Sequence, residues 1–202
     1  MIDKTSQLNK EHYNSKLKES LNSFKKNPIA LKNIKLEMSY SKVIRLFYSY
    51  LQKLIIGHST HILDMGCGTG ALSVLMATHK AIVTSIDISE INIEITKLRA
   101  NRNSIDNIST IVSSTADTGL NDQSFDIIYG FGIIHHLTED IEAKTYAEVY
   151  RLLKPGGTAM FCESVINSSV LDYIRKIIPI YQKHNPRPSI LQKQYKDFIK
   201  ND

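Results

Sequence analysis

The sequence is poor in the residues that mark secreted, disulfide-stapled and membrane proteins. Its 202 residues include two cysteines, five prolines and no tryptophan. Cys67 falls in a glycine-rich stretch and Cys162 in an apolar one, so neither a disulfide framework nor a metal site is expected. No apolar run approaches a membrane span, and residues 1–5 contain no apolar signal core. These absences predict a reduced, cytoplasmic globular protein without a membrane span or a bound metal.

The charge is unevenly distributed along the chain, although the net charge is only +5. Residues 1–60 carry 11 basic and 4 acidic side chains, residues 61–174 carry 7 and 14, and residues 175–202 carry 7 and 2. Basic termini are typical of nucleic-acid or membrane-surface binding, but here the basic residues are dispersed rather than gathered in a dense run. We therefore interpret them as solvated helical faces, and nucleic acid is a less favoured partner.

Apolar periodicity predicts strands that alternate with helices of ten to fifteen residues. Two amphipathic helices come first, over residues 5–26 and 41–56. Strands are predicted at 61–65, 81–87, 108–112, 125–130 and 158–162, with helices at 71–79, 90–102 and 139–153. The Pro155-Gly156-Gly157 turn separates the last helix from the fifth strand. This alternation predicts an α/β fold with a doubly wound, mostly parallel sheet.

The length is that of one domain, in which we distinguish three regions. Residues 1–57 are predicted to form an N-terminal helical cap or lid, residues 58–165 the α/β core, and residues 166–202 a helical tail. Ligands in doubly wound sheets bind beyond the carboxyl ends of the strands. We therefore expect the functional residues to follow strands of the core.

The most informative stretch runs from Ile62 to Ala71, where an apolar strand ends in Asp64 and three glycines follow at every second position. Glycine reaches positive φ and lets a ligand approach the backbone. The pattern predicts a strand, a loop and a helix around a nucleotide-like ligand. Asp64 would repel a phosphate but not a cationic or amine-bearing ligand. The candidate contacts in this loop are Asp64, Gly66, Cys67, Gly68 and Gly70.

Asp87 ends the second strand, 21 positions after Gly66. That spacing is typical of an acid that binds the two hydroxyls of a ribose. The alternative is an acid at the start of the helix that contains Glu90. The spacing Gly66-x-Gly68-x-x-Ala71 also fits the dinucleotide fingerprint. Since NAD carries a ribose too, Asp87 alone does not separate NAD from other ligands that carry a ribose.

Three motifs in order resemble those of the class I methyltransferases that use S-adenosylmethionine. They are Asp64 to Gly70, the Phe-Asp strand from Phe125 that leads to His-His-Leu137, and the Glu148 to Gly157 stretch with Lys-Pro-Gly-Gly. The chain is similar to the small-molecule type, as in ubiquinone and menaquinone biosynthesis. The resemblance implies a Rossmann-like fold, S-adenosylmethionine as cofactor, S-adenosylhomocysteine as product, and methyl transfer to a small-molecule acceptor.

The resemblance also implies where the cofactor lies, with one departure. Many relatives have Asp-Ala where this chain has Ser114-Thr115, and that acid binds the adenine amino group. Ser114, or Asp117 from a shifted loop, is the candidate for this role. The implied cofactor site comprises Asp64, Gly66, Cys67, Gly68, Gly70, Asp87, Ile88, Ser114, Thr115, Asp117, Gly130 and Phe131.

His135 and His136 are the only side chains near the implied site that suit general base catalysis near neutral pH. Either is a candidate to take the proton of a hydroxyl acceptor, and the alternative is a structural pair before the last helix.

The N-terminal helices, with Tyr13 and Tyr40, and the tail are expected to form the side of the site that binds the acceptor. Relatives add an antiparallel strand pair after the fifth strand, whereas the pattern of residues 166–202 predicts helix or coil. The uncovered edge suggests a homodimer.

Three other functions compete with a small-molecule methyltransferase. An RNA or protein methyltransferase is suggested only by the basic termini. No Asn-Pro-Pro-Tyr element follows strand four, which argues against the adenine-amino and glutamine-amide methylating groups. A truncated or inactive cofactor-binding regulatory module is the second alternative. An NAD-dependent oxidoreductase is the third, and Asp64 and the downstream motifs disfavour it.

Overall fold

The computed structural model describes residues 15, 17–26, 42–55 and 59–163. Its strands are β1 (His61–Met65), β2 (Ile82–Asp87), β3 (Ile108–Val112), β4 (Phe125–Phe131) and β5 (Leu153–Cys162). Its helices are α1 (17–26), α2 (Lys42–Leu54), α3 (Ala71–Ala77), α4 (Glu90–Arg102), a 3-10 turn (Ile134–His136) and α5 (Glu139–Leu152).

The five strands form one parallel sheet in the order β3-β2-β1-β4-β5. The first crossover leads from β1 to β2 on one side, and β4 returns to the other side of β1. This reversal of strand order is the switch point at which doubly wound sheets bind ligands. The predicted α/β, doubly wound, parallel fold is therefore confirmed.

Strand β5 begins earlier than the sequence predicts. Phe125 pairs with Leu153, whereas Ile127 pairs with Thr158, so two steps along β4 match five along β5. The intervening residues 154–157 form a bulge in which Gly156 has φ +78°. The bulge occupies the predicted Pro155-Gly156-Gly157 stretch, but the strand does not begin after it, because the backbone pairs with β4 on both sides of the bulge. The prediction of a strand start at Thr158 was wrong for that reason.

The core lies in two layers, one on each face of the sheet. Alternate residues of a strand point to opposite faces, so Ile62 packs with Val74 of α3 and Leu51 of α2, while Leu63 packs with Val149 of α5. Each of these side chains is buried. Helices therefore cover both faces of the central strand and fix the direction in which its carboxyl end points.

The described N-terminal helices pack onto this core. Leu21 of α1 is buried against Ile95 of α4, and Lys25 lies 2.7 Å from Glu94. Tyr13, Tyr40 and the tail of residues 166–202 lie outside the described residues, so the predicted lid contacts and missing strand pair stay predictions. In the described ranges no helix combines the length and apolar character that crossing a membrane requires.

We expect α2 to contribute to stability through its buried face alone. Leu51 is fully buried, whereas Leu46 on the same helix is 57% exposed. Leu51→Ala should lower the free energy of unfolding by about 2–5 kcal/mol through lost burial and a cavity. Leu46→Ala, the matched control, should change it by about 0.5 kcal/mol or less. Urea denaturation of both variants checks this, and equal losses would show that α2 is not docked as described.

Candidate functional site

The glycine loop after β1 is attached to the neighbouring strand. The backbone N–H groups of Gly66 and Cys67 both donate to the carbonyl of Ile86 on β2, at 2.9 Å each. Gly66, Gly68 and Gly70 have φ values of +72°, +53° and +72°. Residues with a side chain rarely adopt this left-handed backbone conformation, so the path of the backbone requires glycine at all three positions.

The three glycines differ in what surrounds them. A Cβ on Gly66 would lie 2.7 Å from Ile133, and one on Gly70 would lie 2.5 Å from Thr96, whereas one on Gly68 would meet nothing within 4 Å. Gly66 and Gly70 thus allow close packing within the protein. Gly68 borders open space, which makes it the point of the loop where a ligand can approach the backbone most closely.

Helix α4 holds the loop from the other side. The hydroxyl of Thr96 donates to the carbonyl of Gly68 at 3.2 Å, and Nε of the buried Arg99 donates to the carbonyl of Thr69 at 2.8 Å. These contacts fix two carbonyls of the loop. The loop is therefore preorganised by side chains that the glycine motif itself does not reveal.

Asp87 lies at the carboxyl end of β2 and faces the glycine loop. Its Oδ2 accepts the N–H of Gly68 at 2.9 Å, and its Oδ1 accepts the N–H of Ser89, the N-cap of α4, at 2.8 Å. Burial raises the pKa of Asp87, although these hydrogen bonds and one from Asn92 oppose the rise. These three hydrogen bonds leave about one of the four lone-pair sites of the carboxylate for a ligand hydroxyl. Asp87 can therefore bind a ribose hydroxyl and at the same time accept an N–H group at the start of α4. Ile88 follows it and is 48% exposed.

Asp64 is buried beneath the loop. Its Oδ2 accepts the hydroxyls of Ser73 at 2.5 Å and of Tyr129 at 2.8 Å. Burial raises the pKa of Asp64 to about 7 despite these hydrogen bonds. The carboxylate therefore ties the end of β1 to α3 and β4, and its contact with a ligand stays a prediction.

Cys67 is a packing residue in the loop. Its Sγ lies 3.7 Å from Oγ1 of Thr96. Burial, together with the carboxylates of Asp64 and Asp87, holds the pKa of the Cys67 thiol well above its ordinary value. A protonated thiol is neither a nucleophile nor a metal ligand. The described part of the chain contains no group of three or more His, Cys, Asp or Glu side chains placed to hold a metal ion.

The loop after β3 brings Ser114 and Asp117 together in a β-bridge. The Ser114 hydroxyl accepts the N–H of Ala116 at 3.2 Å, and Asp117 is exposed. Thr115 turns away, because its buried hydroxyl lies 2.8 Å from that of Thr145 on α5. Of the residues predicted for adenine binding, Ser114 and Asp117 share one turn, while the Thr115 side chain belongs to the protein interior.

A buried carboxylate on α5 holds the same loop. Oε1 of Glu148 accepts both the N–H of Thr118 at 2.9 Å and its hydroxyl at 2.5 Å. Arg151 binds Glu148 and also donates to the carbonyl of Leu120 at 2.9 Å and to Asp122. The sequence showed Glu148 and Arg151 only as parts of a motif, and only the tertiary contacts reveal that they fix this loop.

The end of β4 lies against the glycine loop. A Cβ on Gly130 would lie 2.7 Å from both Ile133 and Phe161, so Ile133 fills the space beside Gly130 as it does beside Gly66. Phe131 directs its ring to Phe47 of α2, with 5.4 Å between ring centroids. Sequence reasoning missed Ile133, since one isoleucine in an apolar stretch gives no signal of its own.

His135 is bound to an acid that sequence reasoning also missed. Its Nδ1 lies 2.7 Å from Oε2 of Glu163, the residue after β5. The ring centroids of His135 and His136 are 4.0 Å apart, and His136 is exposed. A carboxylate that orients an imidazole is a common element of general base catalysis. The spacing of 28 residues hides this pair in the sequence.

Comparisons with known proteins agree with this geometry. A family model described as a methyltransferase domain matches residues 62–157. The ubiquinone biosynthesis O-methyltransferase of Coxiella burnetii is 33% identical over 129 residues, which cover 64% of this chain and 53% of that protein. The protein of the same name from Saccharophagus degradans is 33% identical over 119 residues, covering 58% of this chain and 48% of that protein. The chain thus spans about half the length of these curated relatives.

Solved structures share the fold. The YcgJ protein of Bacillus subtilis matches with a TM-score of 0.60 at 19% identity, covering 75% of this chain and 65% of that chain. A SAM dependent methyltransferase from Aquifex aeolicus matches with a TM-score of 0.52 at 19% identity, covering 64% and 76%. The cyclase SpnF matches with a TM-score of 0.58 at 20% identity, covering 62% and 47%. At such identities the likeness concerns the fold, and different chemistries occur on it.

The different surroundings of the loop glycines predict different costs of substitution. Gly68→Ala places a side chain in open space and should cost about 1–2 kcal/mol through its positive φ. Gly70→Ala adds a clash with Thr96 and should lower the free energy of unfolding by about 1–3 kcal/mol more. Guanidinium denaturation of the two variants measures the difference. Equal losses would mean that α4 does not press against the loop.

Glu148 predicts a pH-dependent contribution to stability. Its hydrogen bonds with Arg151, and then those with Thr118, lower the pKa of Glu148 from 4.5 to about 2. A lowered carboxyl pKa stabilises the fold above its ordinary pKa, and this stability is lost as the pH falls towards 2. Glu148→Gln should cost about 1–3 kcal/mol at neutral pH. The gap between wild type and variant should shrink as the pH falls below about 5.

Denaturant unfolding of both proteins across this pH range tests the assignment. Glu94→Gln is the matched control, since Glu94 forms an ion pair with its side chain 48% exposed and should contribute about 1 kcal/mol or less. A gap between wild type and Glu148→Gln that stayed constant with pH would contradict the role given to Glu148.

Proposed function

We propose that this chain carries a class I S-adenosylmethionine-dependent methyltransferase domain and that it transfers a methyl group from that cofactor to a small-molecule acceptor. The family match over residues 62–157 and the fold support this proposal. The chain spans about half of its curated relatives, which are named for O-methylation in ubiquinone biosynthesis. We therefore favour a hydroxyl group as the acceptor.

One observation carries the proposal, namely the Asp87 carboxylate beside an open Gly68. The loop reaches Asp87 through the Gly68 N–H, and a Cβ on Gly68 would meet nothing. A ribose hydroxyl can donate to the remaining lone pair of the carboxylate, while the glycine backbone leaves room for the rest of the nucleoside. The residues present thus fit an adenosine group.

The charge in this region favours the same ligand. Asp64 and Asp87 lie under and beside the loop, and the buried Arg99 donates to the carbonyl of Thr69. A phosphate placed there would face two carboxyl groups, whereas a sulfonium and an α-amino group carry positive charge. This argument separates S-adenosylmethionine from NAD more clearly than the glycine spacing does.

The protein contributes binding and orientation in this mechanism. When bound, S-adenosylmethionine supplies an activated methyl group. Asp87 and the backbone at Gly68 would hold the adenosine part, and Ser114 or Asp117 would reach the adenine. The rate then depends on holding the acceptor in line with the methyl carbon and on excluding water. His135 or His136 is the proposed base for the acceptor proton.

The N-terminal helices are the proposed walls of the acceptor side. Phe47 of α2 packs edge-on against Phe131 at the end of β4, so the N-terminal region reaches the strand ends where the acceptor would bind. This contact supports a lid formed by residues 1–57, to which Tyr13 and Tyr40 would contribute.

A homodimer stays a prediction. We propose a cytoplasmic location, which the free thiols of Cys67 and Cys162 support.

Isothermal titration calorimetry with S-adenosylhomocysteine tests the proposal. The wild-type chain should bind it, and Asp87→Ala should weaken binding about 10- to 100-fold, because hydrogen bonds to a charged group are lost. Asp106→Ala is the control, since Asp106 is exposed and precedes β3 at the opposite end of the sheet. Thermal melts of both variants check their folding. A wild-type chain that binds neither S-adenosylhomocysteine nor S-adenosylmethionine would refute the proposal.

A further inference from the structure

Glu163 binds the whole turn that carries the two histidines. Its Oε1 accepts the backbone N–H groups of Ile133 at 2.9 Å and Ile134 at 2.8 Å, and its Oε2 accepts the N–H of His135 at 3.4 Å. The same Oε2 lies 2.7 Å from Nδ1 of His135. The side chains of Glu163 and His135 are only 13% and 18% exposed. One carboxylate thus joins the end of β5 to the 3-10 turn after β4.

This arrangement selects one tautomer of His135. Backbone N–H groups are donors only, so the carboxylate must present oxygen atoms to the turn. An ionised carboxylate only accepts hydrogen bonds, so Nδ1 of His135 must donate to it. In a neutral imidazole the other nitrogen then carries the lone pair. His135 is therefore held with Nε2 as its proton acceptor.

Gly132 lies beside the ring edge of His135. A methyl group added at Gly132 would lie 3.6 Å from Cε1 of His135, so the absence of a side chain at Gly132 keeps space along that edge. The same turn places Ile133 against the glycine loop at Gly66. The 3-10 turn therefore links the orientation of His135 to the loop that would bind the cofactor.

The other titratable groups that interact with His135 or with its partner Glu163 come from three elements. His136 on the same turn has its ring centroid 4.0 Å away. On α5, the hydroxyl of Tyr146 donates to Glu142 at 3.2 Å, and burial, aided by Glu142, raises the pKa of Tyr146 well above its ordinary range. On β5, burial and then Glu163 raise the pKa of Cys162. Tyr146 and Cys162 therefore stay protonated near neutral pH, which leaves the histidines as the bases.

We infer that Glu163 is a positioning residue that presents Nε2 of His135, and not His136, to the hydroxyl of a small-molecule acceptor. The inference rests on the proposed function and makes it more specific, because a positioned base serves an acceptor whose proton must leave, such as a phenol or a quinol. His136 is exposed, and its ring lies tilted against that of His135.

The proposed step is balanced in atoms and electrons. The acceptor oxygen forms its bond to the methyl carbon with a lone pair, and the sulfur keeps the electron pair of the carbon–sulfur bond that breaks. The acceptor proton passes to Nε2 of His135. The resulting imidazolium is stabilised by the Glu163 carboxylate on the opposite nitrogen. Release of that proton to water restores the neutral ring.

Glu163→Gln provides a sharp test, because it should invert the tautomer. The amide oxygen must face the backbone N–H groups of Ile133 and Ile134, so its NH₂ group faces Nδ1 of His135. Nδ1 must then accept, and the proton moves to Nε2, which ceases to be a base. Long-range ¹H–¹⁵N spectra of the full chain with ¹⁵N-labelled histidine at mildly alkaline pH report the tautomer, and His135→Gln assigns the signal.

We expect a protonated Nδ1 in the wild type and in Glu94→Gln, and a protonated Nε2 in Glu163→Gln. A protonated Nε2 in the wild type, or one tautomer in all three proteins, would overturn the inference. Failure of the wild type to bind S-adenosylhomocysteine would overturn the proposed function instead, and the tautomer result would stand without it.

Turnover of catechol with S-adenosylmethionine adds a kinetic readout. Glu163→Gln should lower kcat about 100-fold through loss of the general base and leave the Kd of S-adenosylhomocysteine unchanged. Equal kcat values in wild type and Glu163→Gln would count against the inference.

Discussion

The hydrogen bond between the Asp87 carboxylate and the Gly68 N–H is the contact on which the candidate site depends. It joins the end of β2 to the tip of the glycine loop, while the other carboxylate oxygen holds the N-cap of α4. Strand, loop and helix therefore share one side chain. Thr96 and Arg99 of that helix fix the loop carbonyls in turn. The open space beside Gly68 is a consequence of this arrangement, because the loop is held from below and from the α4 side.

Carboxylates also hold the loops that follow β3 and β4. Glu148 accepts backbone and side-chain groups of Thr118 in the loop after β3, and Glu163 accepts three backbone N–H groups of the turn after β4. A buried carboxylate that accepts several N–H groups is held strongly and orients the segment that donates them. Part of the acidic excess of residues 61–174 is thus used inside the protein. These acids give the loops of the site a defined geometry before any ligand binds.

Both faces of the sheet contribute to one functional edge. The α2–α3 face supplies the Asp64, Ser73 and Tyr129 contacts under the loop, and α5 on the opposite face supplies Glu148, which holds the loop after β3. Parallel strands bring all their carboxyl ends to that edge. The cofactor half of the proposed site is therefore built from β1, β2 and β3, and the proton-transfer half from β4 and β5.

The sequence by itself determined the alternation of strands and helices, the glycine loop and the acid that follows β2, because each depends on local periodicity or on residues close in the chain. The loop glycines and Asp87 could be named in advance for that reason. The tertiary structure alone decided that Ile133 packs on Gly66, that β5 pairs with β4 across a bulge, and that Glu163 binds His135. These contacts join residues that are distant in the chain, and only the order of strands in the folded sheet brings them together.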